Sequence, residues 1–150
     1  MNDSTFENGL PINLNDLIKR RSVESNRVEF KASWNDVVEA SVIRTVCAFA
    51  NDLLNLNGGY ILIGIEERDG EPQLPPKGVR LDEIERIQKQ IRGDCKRYLD
   101  PEYQPVLFPT KYAEIPILVI WVPGGDNRPY QAASDVHRKG SSREYYVRQG

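Results

Sequence analysis

The stretch Gly58-Gly59-Tyr60-Ile61-Leu62-Ile63-Gly64-Ile65 carries most of the information about the fold. Its centre is an almost unbroken apolar run, which is typical of a strand covered on both faces. The two leading glycines can end a preceding helix, because glycine tolerates the left-handed backbone of a helix cap. The segment therefore predicts the end of a helix, a tight turn and a buried central strand, in that order.

Helical periodicity flanks this strand on both sides. Before it, residues 35–57 place apolar side chains at three- and four-residue spacings, which predicts one long helix facing the core. After it, residues 82–99 show a second stripe, and Asp82 with Glu85 resembles a capping box at its start. A shorter helix is predicted where Asn13 can cap the apolar residues that follow it.

The remaining strands complete the predicted topology. Residues 27–31 alternate polar and apolar side chains, and residues 144–148 form a short final strand. Residues 103–108 and 115–122 predict consecutive strands that can form a hairpin. The core order is β-α-β-α-β-β, in a mixed-sheet, two-layer α/β domain whose first β-α-β unit is a right-handed parallel crossover. Residues 1–12 are expected to be a flexible leader, and residues 13–150 the domain, as the N-terminal part of a longer protein.

Composition limits the class of protein. With 150 residues, of which 39% are hydrophobic and 28% charged, the chain fits one globular domain. Its longest apolar run contains Pro116 and is too short to cross a membrane. Cys47 and Cys95 lie in helical patterns, far apart in the sequence, and are interpreted as reduced core thiols of a cytoplasmic protein.

Several common catalytic and cofactor motifs are absent from the sequence. No G-x-x-x-x-G-K-[ST] segment is present, so a P-loop is not predicted. The glycines around Tyr60 precede a strand instead of opening a helix, which argues against a dinucleotide-binding fingerprint. His137 is the one histidine of the chain, so HExxH metal chemistry is excluded, and it is interpreted as a loop residue beside basic neighbours.

Basic residues are concentrated in two segments, although the formal net charge is −2. Residues 19–31 and 127–150 each carry five Lys or Arg against two acidic residues. If the segments converge in space, they form a face suited to an anionic ligand. A solvated surface without a ligand is the alternative interpretation.

Acidic residues lie at the ends of the first two predicted strands. Glu24 and Glu29 flank the start of the first strand, and Glu67 follows the second. If both strands belong to one sheet, the three carboxylates could meet at one edge, where they would favour Mg²⁺ or Mn²⁺. Beside Lys31, such a metal could activate water and hold a scissile phosphate. Acidic strand ends without such a role are the alternative.

A set of short motifs occurs in a fixed order along the chain. The motifs are Glu24-Ser25-x-x-Val28-Glu29-Phe30-Lys31, Ala48-Phe49-Ala50-Asn51, the glycine-led strand, Arg128-Pro129-Tyr130, Lys139-Gly140-Ser141-Ser142 and Tyr145-Tyr146-Val147-Arg148-Gln149-Gly150. Together they resemble the Schlafen/AlbA-type DNA-binding domain family over about residues 14–150. The resemblance implies an Alba-like core.

The resemblance also implies a role in nucleic-acid binding. Bacterial members of the family are described as transcriptional regulators and were formerly grouped as divergent AAA proteins. On this interpretation the phosphates of DNA or structured RNA are contacted by Lys19, Arg20, Arg27, Lys31, Arg128, Arg138, Lys139, Arg143 and Arg148. Tyr130, Tyr145 and Tyr146 lie among these cations and could stack on bases, with one of the last two expected in the core.

Two alternatives remain open at this point. Animal Schlafen relatives include metal-dependent endoribonucleases that act through three acidic residues, which correspond here to Glu24, Glu29 and Glu67. The family commonly has Asp at the third position, and residues 52–57 are additional to its usual turn. The second alternative is a non-catalytic interaction module, and because Alba-like domains commonly pair, a homodimer is a candidate assembly.

Overall fold

The fold is known from a computed structural model that describes residues 10–20, 23 and 25–148. Its helices are α1 (Leu14–Ile18), α2 (Asp36–Asn51) and α3 (Leu81–Tyr98). The longer strands are β1 (Val28–Lys31), β2 (Gly59–Ile63), β6 (Val106–Tyr112) and β7 (Ile115–Val122). The short strands are β3 (Glu67–Arg68), β4 (Glu71–Pro72), β5 (Leu99–Asp100), β8 (Gln131–Ala133) and β9 (Arg143–Tyr145). The mixed α/β class predicted from the sequence is confirmed.

The longer strands form one mixed sheet in the order β1-β2-β7-β6. β1 runs parallel to β2, with Val28 opposite Tyr60, as the predicted crossover through α2 requires. β7 is antiparallel to both of its neighbours and forms the predicted hairpin with β6. β2 and β7 occupy the centre of the sheet and are almost entirely buried, which explains their nearly continuous apolar sequences.

The sheet is covered on both faces. α2 and α3 pack on one face, where the buried side chains include Val46, Phe49, Ile61, Ile91, Leu118 and Ile120. α1 packs on the other face of the sheet against Leu62 and Val119. The domain therefore has a short third layer in addition to the two layers that were predicted. Leu10 is also buried there, so residues 10–12, which the sequence assigned to the leader, pack with the domain. The rest of that segment lies outside the described residues.

Within the described residues, no helix has both the length and the apolar composition needed to cross a membrane. Cys47 and Cys95 are buried and unbonded to each other, which confirms that they are free thiols in the core. Burial raises the pKa of Cys47 to about 11, so its thiol stays protonated at neutral pH.

Helix α2 ends six residues earlier than its sequence pattern predicted, at Asn51. Asp52 adopts a left-handed backbone, and its carboxylate accepts hydrogen bonds from the backbone N–H groups of Leu56 and Asn57. A turn closed by these bonds replaces the last helical turns. Leu53, predicted to face the core, is consequently 50% exposed.

Three other boundaries differ from prediction. Helix α3 begins after Arg80, and no side chain caps it; Asp82 lies in the first turn and pairs with Arg80, so the predicted capping box is wrong. β6 extends past Pro109, which an edge strand tolerates. The final strand is β9, which ends at Tyr145, so Arg148 lies beyond it.

A second sheet, in the order β5-β8-β9, was not predicted. β5 and β8 are two and three residues long, too short for periodicity to show in the sequence, whereas β9 overlaps the strand predicted at residues 144–148.

Two glycines are required at the start of β2 by close backbone approaches. Gly58 has φ of +71°, and a Cβ there would lie 1.7 Å from the carbonyl oxygen of Val122. A Cβ on Gly59 would lie 2.6 Å from the ring of Phe49. The pair therefore lets α2 and β7 approach the turn that joins α2 to β2.

The carboxamide of Asn51 joins the end of α2 to the C-terminal part of the chain. Its Oδ1 accepts a hydrogen bond of 2.6 Å from the backbone N–H of Tyr130. Its Nδ2 donates to the carbonyl oxygens of Tyr130, at 3.0 Å, and Tyr146, at 2.7 Å. These partners do not follow from a local sequence pattern, because they lie about 80 and 95 residues away.

We predict that Asn51→Ala lowers the free energy of unfolding by about 2–4 kcal/mol, because buried backbone groups lose their partners. Urea unfolding followed by circular dichroism measures the change. Asn127→Ala is the matched control, since Asn127 is exposed in a neighbouring turn, and it should change stability by less than about 0.5 kcal/mol. Equal effects of the two substitutions would show that the Asn51 carboxamide does not hold these segments together.

Candidate nucleic-acid interface

Three arginines from distant segments lie around one side chain, Leu53. Arg27 and Arg148 line a small pocket together with Leu53. Arg128 lines the adjoining pocket, of which Leu53 is also a wall. We call Arg27, Arg128 and Arg148 the arginine cluster. Part of the N-terminal basic segment therefore meets part of the C-terminal one.

Backbone carbonyl groups fix the positions of these guanidinium groups. Arg27 Nε donates to the carbonyl oxygen of Gly58 at 2.6 Å. Arg128 Nη1 donates to the carbonyl oxygens of Asn51, at 3.3 Å, and Asp52, at 3.2 Å. Because a guanidinium has five N–H donors, these bonds orient each group and leave further donors for a ligand.

Arg128 Nη1 also lies 3.7 Å from the carboxylate Oδ2 of Asp52, and Arg148 is likewise held by three contacts. Its Nε donates to the carbonyl oxygen of Asn26 at 3.0 Å, and its Nη2 donates to Glu29 Oε1 at 2.7 Å. The guanidinium also stacks over the ring of Phe49, 5.1 Å from the ring centroid. These contacts tie residue 148, which follows the last strand, to the start of β1.

Glu29 lies on β1 within a network of hydrogen bonds and ion pairs. Oε1 of Glu29 accepts the hydrogen bond from Arg148. Its other carboxylate oxygen, Oε2, accepts a hydrogen bond from Thr45 at 3.0 Å and lies 3.5 Å from Lys31 Nζ. Glu29 and Lys31 thus share a strand face, as alternation along β1 predicted. Lys31 also donates to Ser41 at 3.2 Å, so its ammonium is directed toward α2.

The three carboxylates of the predicted metal site are not seen as one group in the described part of the chain. Glu24 lies outside the described residues. Glu29 is level with Ile61, in the middle of β2, whereas Glu67 is exposed on β3, beyond the end of β2. Because two cations already neutralise Glu29, its oxygens would have to exchange these partners for a metal. The assignment of Glu24, Glu29 and Glu67 stays a prediction.

A second group of cations surrounds the loop between β8 and β9. Arg138, Lys139 and Arg143 line a pocket of about 430 Å³, and we call them the loop patch. The loop is closed by Ser141, whose hydroxyl donates to the carbonyl oxygen of Asp135 at 3.0 Å. Arg44 of α2 holds it by donating to the carbonyl oxygen of Ser134 at 2.7 Å.

The predicted cations Lys19 and Arg20 lie elsewhere. They follow α1, on the opposite face of the sheet from α2. Arg20 pairs with Glu71 of β4 at 3.2 Å, and its side chain is only 16% exposed. β4 follows the C-terminal end of β2, whereas Arg27 precedes the N-terminal end of the parallel strand β1. The structure therefore places Arg20 at the other end of the sheet from the arginine cluster.

The tyrosines of the C-terminal segment differ in exposure. Tyr130 is buried, with its ring against Tyr103, so its predicted stacking on a base is wrong. Tyr146 is half-buried against the core, whereas Tyr145 is 61% exposed. This confirms that one of the two consecutive tyrosines packs against the core, although Tyr146 follows the end of β9.

An ionisable cluster that the sequence analysis missed lies where α2, α3 and the loop patch meet. Asp36, Glu39 and His137 have ligand atoms within 4.8 Å of one another, a set compatible with a divalent metal ion. His137 Nε2 lies 2.9 Å from Glu39 Oε1. The three-residue spacing of Asp36 and Glu39 on one helix could have indicated that these two carboxylates are neighbours. The contribution of His137 could not be predicted in this way, because His137 is 98 residues from Glu39.

Asp94 of α3 faces this cluster. Its Oδ2 is buried and has no hydrogen-bond donor within the described residues, although the carboxyl lies within hydrogen-bonding reach of Glu39. A proton on the Asp94 carboxyl group would supply the missing donor. Burial, followed by the hydrogen bond and charge of Glu39, raises the pKa of Asp94 to about 8, while Arg97 lowers it.

Comparison with known proteins shows similarity at the levels of sequence and structure. The family model described as Schlafen, AlbA_2 matches residues 24–150. The chain is similar to the N-terminal domain of a RecG-related protein from Nitrosomonas europaea, with 26% identity and a TM-score of 0.59 over 90% of this chain and 87% of that one. The DIP2311 protein from Corynebacterium diphtheriae gives 21% identity and a TM-score of 0.47 over 80% of this chain and 22% of that one. No curated protein matches the sequence.

We predict that Asp94→Asn makes the protein more stable at pH 8 and leaves its stability nearly unchanged at pH 5. The folded protein holds a proton on Asp94 that the unfolded chain releases above about pH 4, so stability falls as pH rises toward 8. An asparagine would donate to Glu39 without titrating. Since Asp94 is only half-buried, the expected gain at pH 8 is on the order of 1–2 kcal/mol after solvent screening.

Urea unfolding at the two pH values measures this gain. Glu85→Gln is the control, because Glu85 lies on the same helix with its side chain 81% exposed and should show no such difference. A gain at pH 5 equal to that at pH 8 would contradict a proton held on Asp94.

Proposed function

Because the chain belongs to the Schlafen, AlbA_2 family, we propose that it binds nucleic acid and that the arginine cluster contacts the phosphates. The observation that carries the proposal is the meeting of Arg27, Arg128 and Arg148 around Leu53 from three distant segments. Guanidinium groups fixed by backbone carbonyls suit phosphate, because their planar donors match two phosphate oxygens at once.

The loop patch would extend this contact surface. Arg143 and Tyr145 are two residues apart on β9, so their side chains lie on the same face of that strand. Arg143 lines the pocket of the loop patch, and Tyr145 lines the pocket of Arg128. A nucleic-acid backbone that follows β9 would thus pass from one cationic group to the other.

Similarity to the N-terminal domain of a protein described as an ATP-dependent DNA helicase RecG-related protein supports the same proposal. Phosphate contacts fix the position of a nucleic acid without reading its sequence. We therefore propose a domain that takes part in transcriptional regulation in the cytoplasm, with sequence preference supplied by the shape of the nucleic acid or by other parts of the protein. Homodimer formation and the endoribonuclease alternative stay predictions.

Salt dependence tests the phosphate contacts. With about six contacts, affinity for a duplex DNA or a hairpin RNA should fall roughly a thousandfold between about 50 and 200 mM salt. Arg128→Gln should weaken binding about tenfold and reduce the salt slope by about 1. Asp52 keeps its bonds to Leu56 and Asn57 in this variant, so the turn after α2 remains closed.

Fluorescence anisotropy with labelled strands measures both effects. Arg86→Gln is the matched control, because Arg86 is 53% exposed on α3 and lies outside both cationic groups; it should leave the slope unchanged. An affinity that does not change with salt concentration would contradict the proposal. So would an identical salt dependence of binding in the Arg128 and Arg86 variants.

A further inference from the structure

An apolar groove adjoins the arginine cluster. Its walls are Asn51, Leu53, Arg128, Pro129, Tyr145 and Val147, around a volume of about 510 Å³, and we call it the tyrosine groove. Three of its apolar side chains are well exposed: Tyr145 by 61%, Leu53 by 50% and Val147 by 46%. Apolar side chains that gather on a surface from segments about 90 residues apart mark a binding site more often than a solvated face.

Local structure accounts for the exposure of each wall. Leu53 is exposed because Asp52 ends α2 and turns the chain out of the helix. Tyr145 is exposed because the carbonyl of Tyr146 is bonded to Asn51 and its ring packs on the core, which leaves the preceding side chain on the outer face. The groove is therefore a fixed feature of the fold.

The chemistry of the groove fits a flat aromatic ligand that is attached to an anion. Tyr145 offers a ring for stacking, and Leu53 and Val147 offer apolar contact. Arg128 places a positive charge at the same groove, and Arg27 and Arg148 lie across Leu53 in the adjoining pocket. An unpaired nucleobase with its phosphate has this combination of flat apolar faces and negative charge.

We propose that the tyrosine groove binds an unpaired base of single-stranded nucleic acid, stacked on Tyr145, while the arginine cluster holds the adjacent phosphates. This inference rests on the proposed function and specifies single-stranded substrate for the same site. In a paired duplex the faces of the bases are stacked on one another and unavailable to Tyr145.

The groove also predicts weak discrimination between bases. Both N–H donors of the Asn51 carboxamide are used by Tyr130 and Tyr146, so the side chain has no free donor with which to read a base edge. Arg128 Nη1 is bound to the carbonyls of Asn51 and Asp52. Stacking accepts any base, since every base has a π-face, so oligo-dT and oligo-dA should bind within a fewfold of each other.

The test compares two labelled strands that carry equal phosphate charge: dT12 and a 12-mer of abasic sites. The wild-type protein should bind dT12 at least about tenfold more tightly than the abasic strand at the same salt concentration. Tyr145→Leu should lose most of that difference, because leucine has no ring on which a base can stack. Tyr145→Trp should retain the difference, because it keeps an aromatic ring. Leu81→Gln, which alters an exposed apolar residue outside the groove, should behave as wild type.

A cross-link gives an independent readout that needs no variant. A strand carrying 5-iodouracil, irradiated in complex with the wild-type protein, should attach to the peptide that contains Tyr145. Attachment only to peptides outside the groove would overturn the inference.

Other outcomes separate this inference from the proposed function. Equal, salt-dependent binding of dT12 and the abasic strand would overturn the base site and leave the phosphate contacts standing. Absence of binding to either strand, together with absence of binding to duplex DNA and hairpin RNA, would overturn both. A concentration-dependent dimer abolished by Tyr145→Leu, with both strands bound alike, would assign the groove to a second copy of the chain.

Discussion

The bonds of the Asn51 carboxamide are the constraint on which the rest of the site depends. They fix the backbone at Tyr130 and Tyr146 against the end of α2. Arg128 precedes the first of these anchors by two residues and Arg148 follows the second by two. The buried side chain of Asn51 therefore fixes the backbone close to two of the three clustered arginines, Arg128 and Arg148. It also sets which of the consecutive tyrosines faces outward.

The ring of Phe49 connects two of the sequence motifs around this site. Gly59 has no side chain, so the ring of Phe49 packs directly on the start of β2. Arg148 stacks over the same ring and reaches Glu29 of β1. The motifs Ala48-Phe49-Ala50-Asn51 and Gly58-Gly59 thus contact the arginine cluster through the ring of Phe49 and the carbonyl oxygen of Gly58. Neither motif contributes a charged side chain.

The sequence predicted the secondary structure well where a long apolar pattern packs along its whole length in the core. α2, α3, β2 and β7 were predicted because each buries a continuous apolar face, and the parallel and antiparallel pairings followed from their order. The sequence was misleading where one side chain decided a boundary, as Asp52 does at the end of α2. It could not show the sheet β5-β8-β9 or the contact of His137 with Glu39, since these depend on tertiary pairing.

The structure brings the two basic segments together only in part, for a physical reason. Two basic segments were expected to form one face if they converged, but a basic segment is not a rigid unit. Arg27 joins Arg128 and Arg148, whereas Arg20 pairs with Glu71 at the far end of the sheet and Arg138 lies on a separate loop. The charge of each sequence segment therefore identified the candidate cations, and the fold determines which of these cations lie together.

The most direct test of this account observes the three arginines themselves. In a titration with nucleic acid, NMR spectra that detect the arginine Nε–H groups would follow Arg27, Arg128 and Arg148 separately. The account predicts that all three signals shift together with one dissociation constant. Shifts confined to Arg138 and Arg143, with the cluster around Leu53 unaffected, would contradict it.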